Sequence, residues 1–323
     1  MATAQSTMRA QAPASSQSRQ RSAVWKGIKR SWQLYMFLAL PVAWLLVFNY
    51  YPMYGAQIAF RDFLPGRSIL DSEWIGLENF TRFFESPLFS RLIINTLFLS
   101  VYSLIVGFPI PIILALSLNQ LRMGMFKNSV QMVSYAPYFI STVVMVGLIL
   151  QFLDLRRGPI NLMLVAIGLE PVHFMGIADY FSSIYVWTGV WQNTGFGTII
   201  YLAALSTIDP ALHEAAVVDG ATKLRRMWHI DIPGILPVIV TLLILNMGQL
   251  MNIGFEKIFL LQNPLNLEAS EVISTYVYKI GLAGGVANFS YAAAIGLFNS
   301  LLGLMMLVAA NQISKKLTQT SIF

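Results

Sequence analysis

Long apolar runs alternate with polar stretches along this chain, at residues 34–54, 92–118, 129–152, 181–205, 235–255 and 291–313. As a helix, each run can cross about 30 Å of hydrocarbon. The pattern predicts an all-α, polytopic membrane protein with about six transmembrane helices. Trp32, Tyr35, Tyr50 and Tyr51 sit near the ends of the first run, where aromatic rings favour the membrane interface. That run is too long for the apolar core of a secretory signal, and no small-residue cleavage site follows it. Pro41 lies inside it, and Pro109 and Pro111 interrupt the second run. Such prolines are tolerated where neighbouring helices satisfy the freed carbonyls.

The segments between the runs differ in kind. Residues 55–90 are polar, with one short amphipathic piece at 77–84. Residues 154–180 have an apolar middle, 160–169, too short to cross and predicted to lie at the interface or re-enter. Residues 1–30 hold basic side chains and no acid, and nothing there can bury a core. The predicted organisation is a disordered basic tail over 1–30, then a first span and outer loop over 31–90. A helical core over 91–315 and a short tail over 316–323 follow.

Composition agrees with lipid as the solvent. Hydrophobic residues make up 56% of the chain and charged residues 11%, with a mean hydropathy of +0.63. A soluble chain is closer to a quarter charged. There is no cysteine, so neither a disulfide framework nor a Cys-based metal site exists. His173, His213 and His229 are too scattered to suggest a metal centre.

The net charge of +6 does not point to nucleic acid, because the basic residues flank the apolar runs. Their distribution sets an orientation instead. With the N-terminus in the cytoplasm, 13 of the 21 Lys and Arg residues fall inside. Eleven of the 15 acids then fall outside. The positive-inside bias predicts both termini in the cytoplasm.

The most informative polar stretch is 206–233. Asp209 suits an N-cap and Pro210 the first helical position, so a short helix is predicted through Leu212, Ala215 and Ala216. Gly220 can end it in the left-handed conformation. A second short, basic and aromatic helix is predicted over 222–228, with Pro233 and Pro237 marking entry into the fifth run. On physical grounds alone, a small docking element and an ordinary solvated loop fit equally well.

The spacing adds more. Glu214, Ala215 and Ala216, then Gly220, Ile230 and Pro233, resemble the EAA signature of permease subunits of binding-protein-dependent ABC importers. Asp219 lies within the same stretch. The one departure is Ile232, where the family has Leu.

The resemblance runs from about Asn79 to the C-terminus. In the segment 254–264 and at Tyr276 and Tyr278 it is similar to the carbohydrate group that handles oligosaccharides and polysaccharide fragments, alginate among them. It implies a type I importer permease fold in a bacterial inner membrane. It further implies a second permease subunit, two ATP-binding subunits, a periplasmic solute-binding protein and a carbohydrate substrate. ATP and Mg would be bound by the partner subunits, and loop 206–233 would couple to them.

Other function classes lack their residues. No phosphate-binding G-x-x-x-x-G-K-[ST] loop occurs. His213-Glu214 could begin a zinc-protease motif, but Val217 stands where the second His is needed. No catalytic constellation is visible, so the chain is not expected to be an enzyme. An ion-coupled secondary transporter is the alternative, but it would need carboxylates well inside the spans, and none is found there. A purely structural membrane subunit is a third reading.

Polar residues inside the runs are candidates for a path. Trp187, Trp191, Gln192, Asn193 and Phe196 lie in the fourth run, and Asn246, Gln249 and Asn252 recur along the fifth at i, i+3 and i+6, close to one helix face. Amides also glue membrane helices together, and the rings also pack, so both readings stand. Resemblance to maltose-type permeases implies that Gln192, Asn193, Phe196, Gln249 and Asn252 fall where the sugar site is lined. Lys257, Lys279, Arg156 and Arg157 could meet an anionic sugar, or pair with Glu256, Asp154 or water.

Overall fold

The computed structural model describes residues 30–121, 124–284 and 287–318. The predicted tail over residues 1–29, Arg122 and residues 319–323 lie outside them. The chain divides into a first unit ending at Gln57 and a second from Ile58 onward.

In the first unit, the helix Trp32–Leu45 continues through a wider turn, Leu46–Tyr50, and buries none of its residues. A helix that is apolar all round and unburied suits lipid. Pro41 sits inside it without ending it.

The second unit opens with a two-stranded ribbon, β1 (Arg61–Asp62) antiparallel to β2 (Glu73–Trp74). The predicted amphipathic piece forms the helix Glu78–Phe84. Its Phe83 is buried among Phe89, Tyr291 and Phe298. The second run is the helix Phe89–Gly107 followed directly by Pro109–Asn119. The short apolar middle is the helix Pro159–Ala166. The fourth run is the 28-residue helix Ala178–Leu205, and the last is Phe289–Thr318. The final helix therefore extends into the residues expected to start the tail.

Among the described residues, four helical segments, Trp32–Phe60, Phe89–Asn119, Lys223–Gly248 and Phe289–Ile313, are long and apolar enough to cross a membrane. Two bent pairs raise the number to six.

Three expectations need correction. The third run is not one straight helix. Met125–Phe139 and Thr142–Phe152 meet at 101°. Pro137 withholds an N–H, Ile140 and Ser141 are extended, and Ser141 Oγ caps the following helix at Val144 N. Apolarity that continues through the break hides it from periodicity.

The fifth run ends as a helix at Gly248, and 249–254 form an irregular turn. Gln249 and Asn252 therefore do not share a helix face with Asn246. Non-helical backbone at this depth requires partners. Ser100 Oγ donates to Leu250 O, and Asn299 Nδ2 donates to Met251 O at 3.1 Å.

The second short helix is not a separate element. Lys223–Arg226 runs through a wide turn, Met227–Asp231, into Ile232–Gly248. Pro233 follows the wide turn directly, and the N–H it lacks interrupts the hydrogen-bond ladder at that junction.

Candidate functional site

The polar loop after the long helix is built by short-range bonds. Asp209 Oδ1 accepts from Ala211 N at 2.9 Å and opens the helix Pro210–Val218. At its end Gly220 has φ +74°, Gly220 N donates to Val217 O at 3.0 Å, and Ala221 N donates to Ala216 O at 2.8 Å. That pair of bonds satisfies the last carbonyls and needs a left-handed residue at Gly220. Thr222 Oγ1 then accepts from Arg225 N at 3.3 Å and starts the next helix.

This short helix turns 78° away from Ala178–Leu205. Glu214, Ala215, Asp219 and Gly220 are exposed and Ala216 is half-buried. Leu212, Val217, Val218, Leu224 and Trp228 are also exposed, Val218 at 88%. Apolar side chains presented together beside an acid form a surface suited to a partner. Ile230 is half-buried and Pro233 exposed.

Beneath the loop lies a contact that the sequence did not announce. Asp231 is fully buried. Its Oδ1 is 3.1 Å from His213 Nε2, and its Oδ2 accepts from Gln120 Nε2 at 3.0 Å. One carboxylate thus joins the loop helix, the end of the second run and the start of the fifth. A buried carboxylate needs partners of this kind, because burying a charge unpaired is costly. The signal in the sequence was the single Asp beside Pro233, but its partners are far away in the chain.

The second feature is a cavity of about 800 Å³, within the ~300–1,000 Å³ of ligand pockets. Gln192, Asn193, Asn246, Gln249, Asn252 and Lys257 line it. Four of the five path candidates therefore come together around one space. Phe196 is not among the lining residues. It stacks face to face on Tyr138, which is, with ring centroids 3.9 Å apart. Trp187 and Trp191 line a separate groove, and Trp187 Nε1 donates to Tyr102 Oη at 3.1 Å.

The amides are partly engaged. Gln192 Nε2 donates to Ile140 O at 2.9 Å and so holds the break in the third run. Asn193 and Asn246 donate back to their own helix, at Gly189 O and Leu242 O. Asn252 Nδ2 donates to Gln249 Oε1 at 3.2 Å. The carbonyl oxygens of Asn193, Asn246 and Asn252 have no partner among the described residues, leaving acceptors on the cavity wall for hydroxyl groups.

The cations differ in surroundings. Lys279 Nζ donates to Glu271 Oε1 at 3.1 Å, and Arg91 takes the other oxygen of Glu271 at 2.8 Å. Arg156 and Arg157 are exposed, and their backbone N–H groups donate to Asp154 Oδ1, holding that carboxyl below its usual range. Lys257 is buried and donates to Tyr185 O at 3.0 Å.

Comparison with known proteins bears on both features. The family described as binding-protein-dependent transport system inner membrane component matches residues 107–319. The polygalacturonan/rhamnogalacturonan transport system permease protein YteP of Bacillus subtilis (strain 168) is 43% identical over 290 residues, 90% of each chain. A solved bacterial ABC transporter involved in the import of the acidic polysaccharide alginate holds a chain that is 42% identical. That match has a TM-score of 0.84 and covers 92% of this chain and 99% of that one. The bacterial alginate ABC transporter in complex with alginate pentasaccharide-bound periplasmic protein matches at 41% identity. Its TM-score and coverages are the same.

Proposed function

Because this chain belongs to the family of binding-protein-dependent transport system inner membrane components, we propose that it forms one half of an ATP-driven import path for an oligosaccharide or polysaccharide. A second permease subunit closes the path, two ATP-binding subunits hold ATP and Mg, and a periplasmic solute-binding protein delivers the sugar. The chain itself is a transport subunit of a multi-pass inner-membrane complex and not an ATPase.

One observation carries this reading. The helix Ala178–Leu205 presents Gln192 and Asn193 to the cavity and leads directly into the exposed helix Pro210–Val218. From Gln192 to Leu205 it rises about 20 Å, at ~1.5 Å per residue. A push on Glu214, Ala215 or Ala216 is thereby linked to the cavity wall through the bend at 206–209 and the long helix behind it. Asp219 and Gly220 shape the docking turn, and Ile230 and Pro233 lie where the fifth run begins. Gln249 and Asn252 offer amides to the sugar, while Phe196 backs the ring of Tyr138.

Both termini lie in the cytoplasm in this reading, with the docking helix on the same side. The chain has no native cysteine, so single cysteines report cleanly. In intact cells, Val218→Cys should resist an impermeant thiol reagent and Arg67→Cys should react, both sites being exposed. The reverse pattern would invert the topology. The function is tested with the complex in proteoliposomes: oligogalacturonate uptake should require both enclosed ATP and the binding protein. Uptake driven by an ion gradient without ATP would favour a secondary transporter instead.

A further inference from the structure

Lys257 lies on the short helix Phe255–Leu261, just beyond the irregular turn that ends the fifth run. It is 8% exposed, yet its side chain reaches the cavity wall. Its Nζ donates to Tyr185 O at 3.0 Å and sits 5.0 Å from the centroid of the Tyr185 ring. An ammonium has three N–H donors, so two are left over. No carboxylate lies within 4.0 Å of it among the described residues. Among the described residues it is the only charged one on the cavity wall, with no Asp or Glu lining it.

That arrangement is costly unless an anion arrives. A buried charge without a counter-ion is strongly unfavourable, and an apolar side chain of similar length would fill the same place without the penalty. The buried carboxylate of Glu271 follows this rule, with Lys279 and Arg91 both on it. Gly189 faces the ammonium, and a Cβ there would stand 3.4 Å from Nζ. Lacking a side chain, Gly189 leaves the charged group accessible from the cavity. The same wall carries unpartnered amide carbonyls that accept from hydroxyls. Hydroxyls together with one carboxylate on a single ring describe a uronic acid.

We propose that Lys257 is an anion subsite in the translocation cavity that pairs with the carboxylate of a uronic-acid unit as the saccharide passes. The inference rests on the carbohydrate reading above and adds the charge of the substrate. The rival explanation is a structural tether, in which Lys257 only ties its helix to the Tyr185 carbonyl.

The test uses the full complex with its binding protein in proteoliposomes, with oligogalacturonate and a neutral oligosaccharide as probes. Hydrogen bonds to charged groups are strong enough that Lys257→Met should lower oligogalacturonate uptake by about ten- to hundredfold. Lys257→Arg, which keeps the charge, should retain most uptake, and neither variant should lower the melting temperature. A tether gives the opposite order: the bulkier Arg disturbs packing more than Met, and melting falls with uptake. That result, or full uptake by Lys257→Met, overturns the subsite. A wild-type complex importing only the neutral probe overturns the subsite and leaves the carbohydrate reading intact. Import of neither probe overturns the carbohydrate reading itself.

Discussion

The backbone of the loop from Asp209 to Thr222 is shaped by bonds between residues two to five positions apart, whereas the turn 249–254 adds donors from Ser100 and Asn299 on other helices to its own local bonds. The first can keep its shape while its one distant anchor, His213 on Asp231, shifts. The second depends in part on the bundle packed around it. In the proposed function, coupling and conduction therefore rest on different kinds of structure, and substitutions in the two regions should fail differently. Loop variants should lose transport with the fold intact. Cavity variants should mix lost transport with lost stability, unless the side chain truly faces the sugar.

The largest effect is expected where the loop meets the bundle. Asp231→Ala removes the carboxylate shared by His213 and Gln120. Hydrogen bonds to a charged group are worth about 1.5–3 kcal/mol, so the purified complex should melt lower. An unchanged melting temperature would mean that the loop helix is not anchored there.

Next comes the turn itself. Ser100→Ala deletes a hydroxyl set between Thr96 O and Leu250 O and leaves the half-buried Leu250 carbonyl without that donor, at about 1–2 kcal/mol. Thermal unfolding of the purified complex would show the loss. Stability equal to wild type would show that the turn holds itself, and the comparison drawn above would fail.

The smallest effect separates path from packing. Gln249→Ala removes a cavity amide, and a neutral hydrogen bond is worth about 0.5–1.5 kcal/mol. Sugar uptake should fall several-fold up to about tenfold, with melting and partner-driven ATP hydrolysis unchanged. Proportionate loss of melting temperature and both activities would assign Gln249 to packing.

What the sequence made legible follows the same division. Asp209, Pro210, Gly220 and Thr222 each act on near neighbours, so a cap, a first-turn proline and a left-handed glycine could be read in place. The apolar runs were legible because hydrocarbon demands length and apolarity together. The break at Ile140–Ser141 and the end of the helix at Gly248 were not, because the residues on both sides remain apolar and the stabilising bonds come from Gln192, Ser100 and Asn299. The Asp231 contact was hidden for the same reason, since Gln120 is 111 positions away. Gln249 and Asn252 were assigned to the cavity side of a helix. They line the cavity from an irregular turn, so their common exposure does not come from helical spacing.

Gly220→Val separates a loop that transmits ATP-driven motion from a cavity that conducts. No atom lies within 4 Å of a Cβ placed at Gly220, so the substitution clashes with nothing and acts through φ +74° alone, which a β-branched residue adopts poorly. In proteoliposomes, the account predicts an assembled complex with normal melting, in which sugar uptake and the ATPase stimulation by loaded binding protein both fall more than about tenfold, from ~1–2 kcal/mol or more of local strain. Normal uptake together with normal stimulation would contradict it.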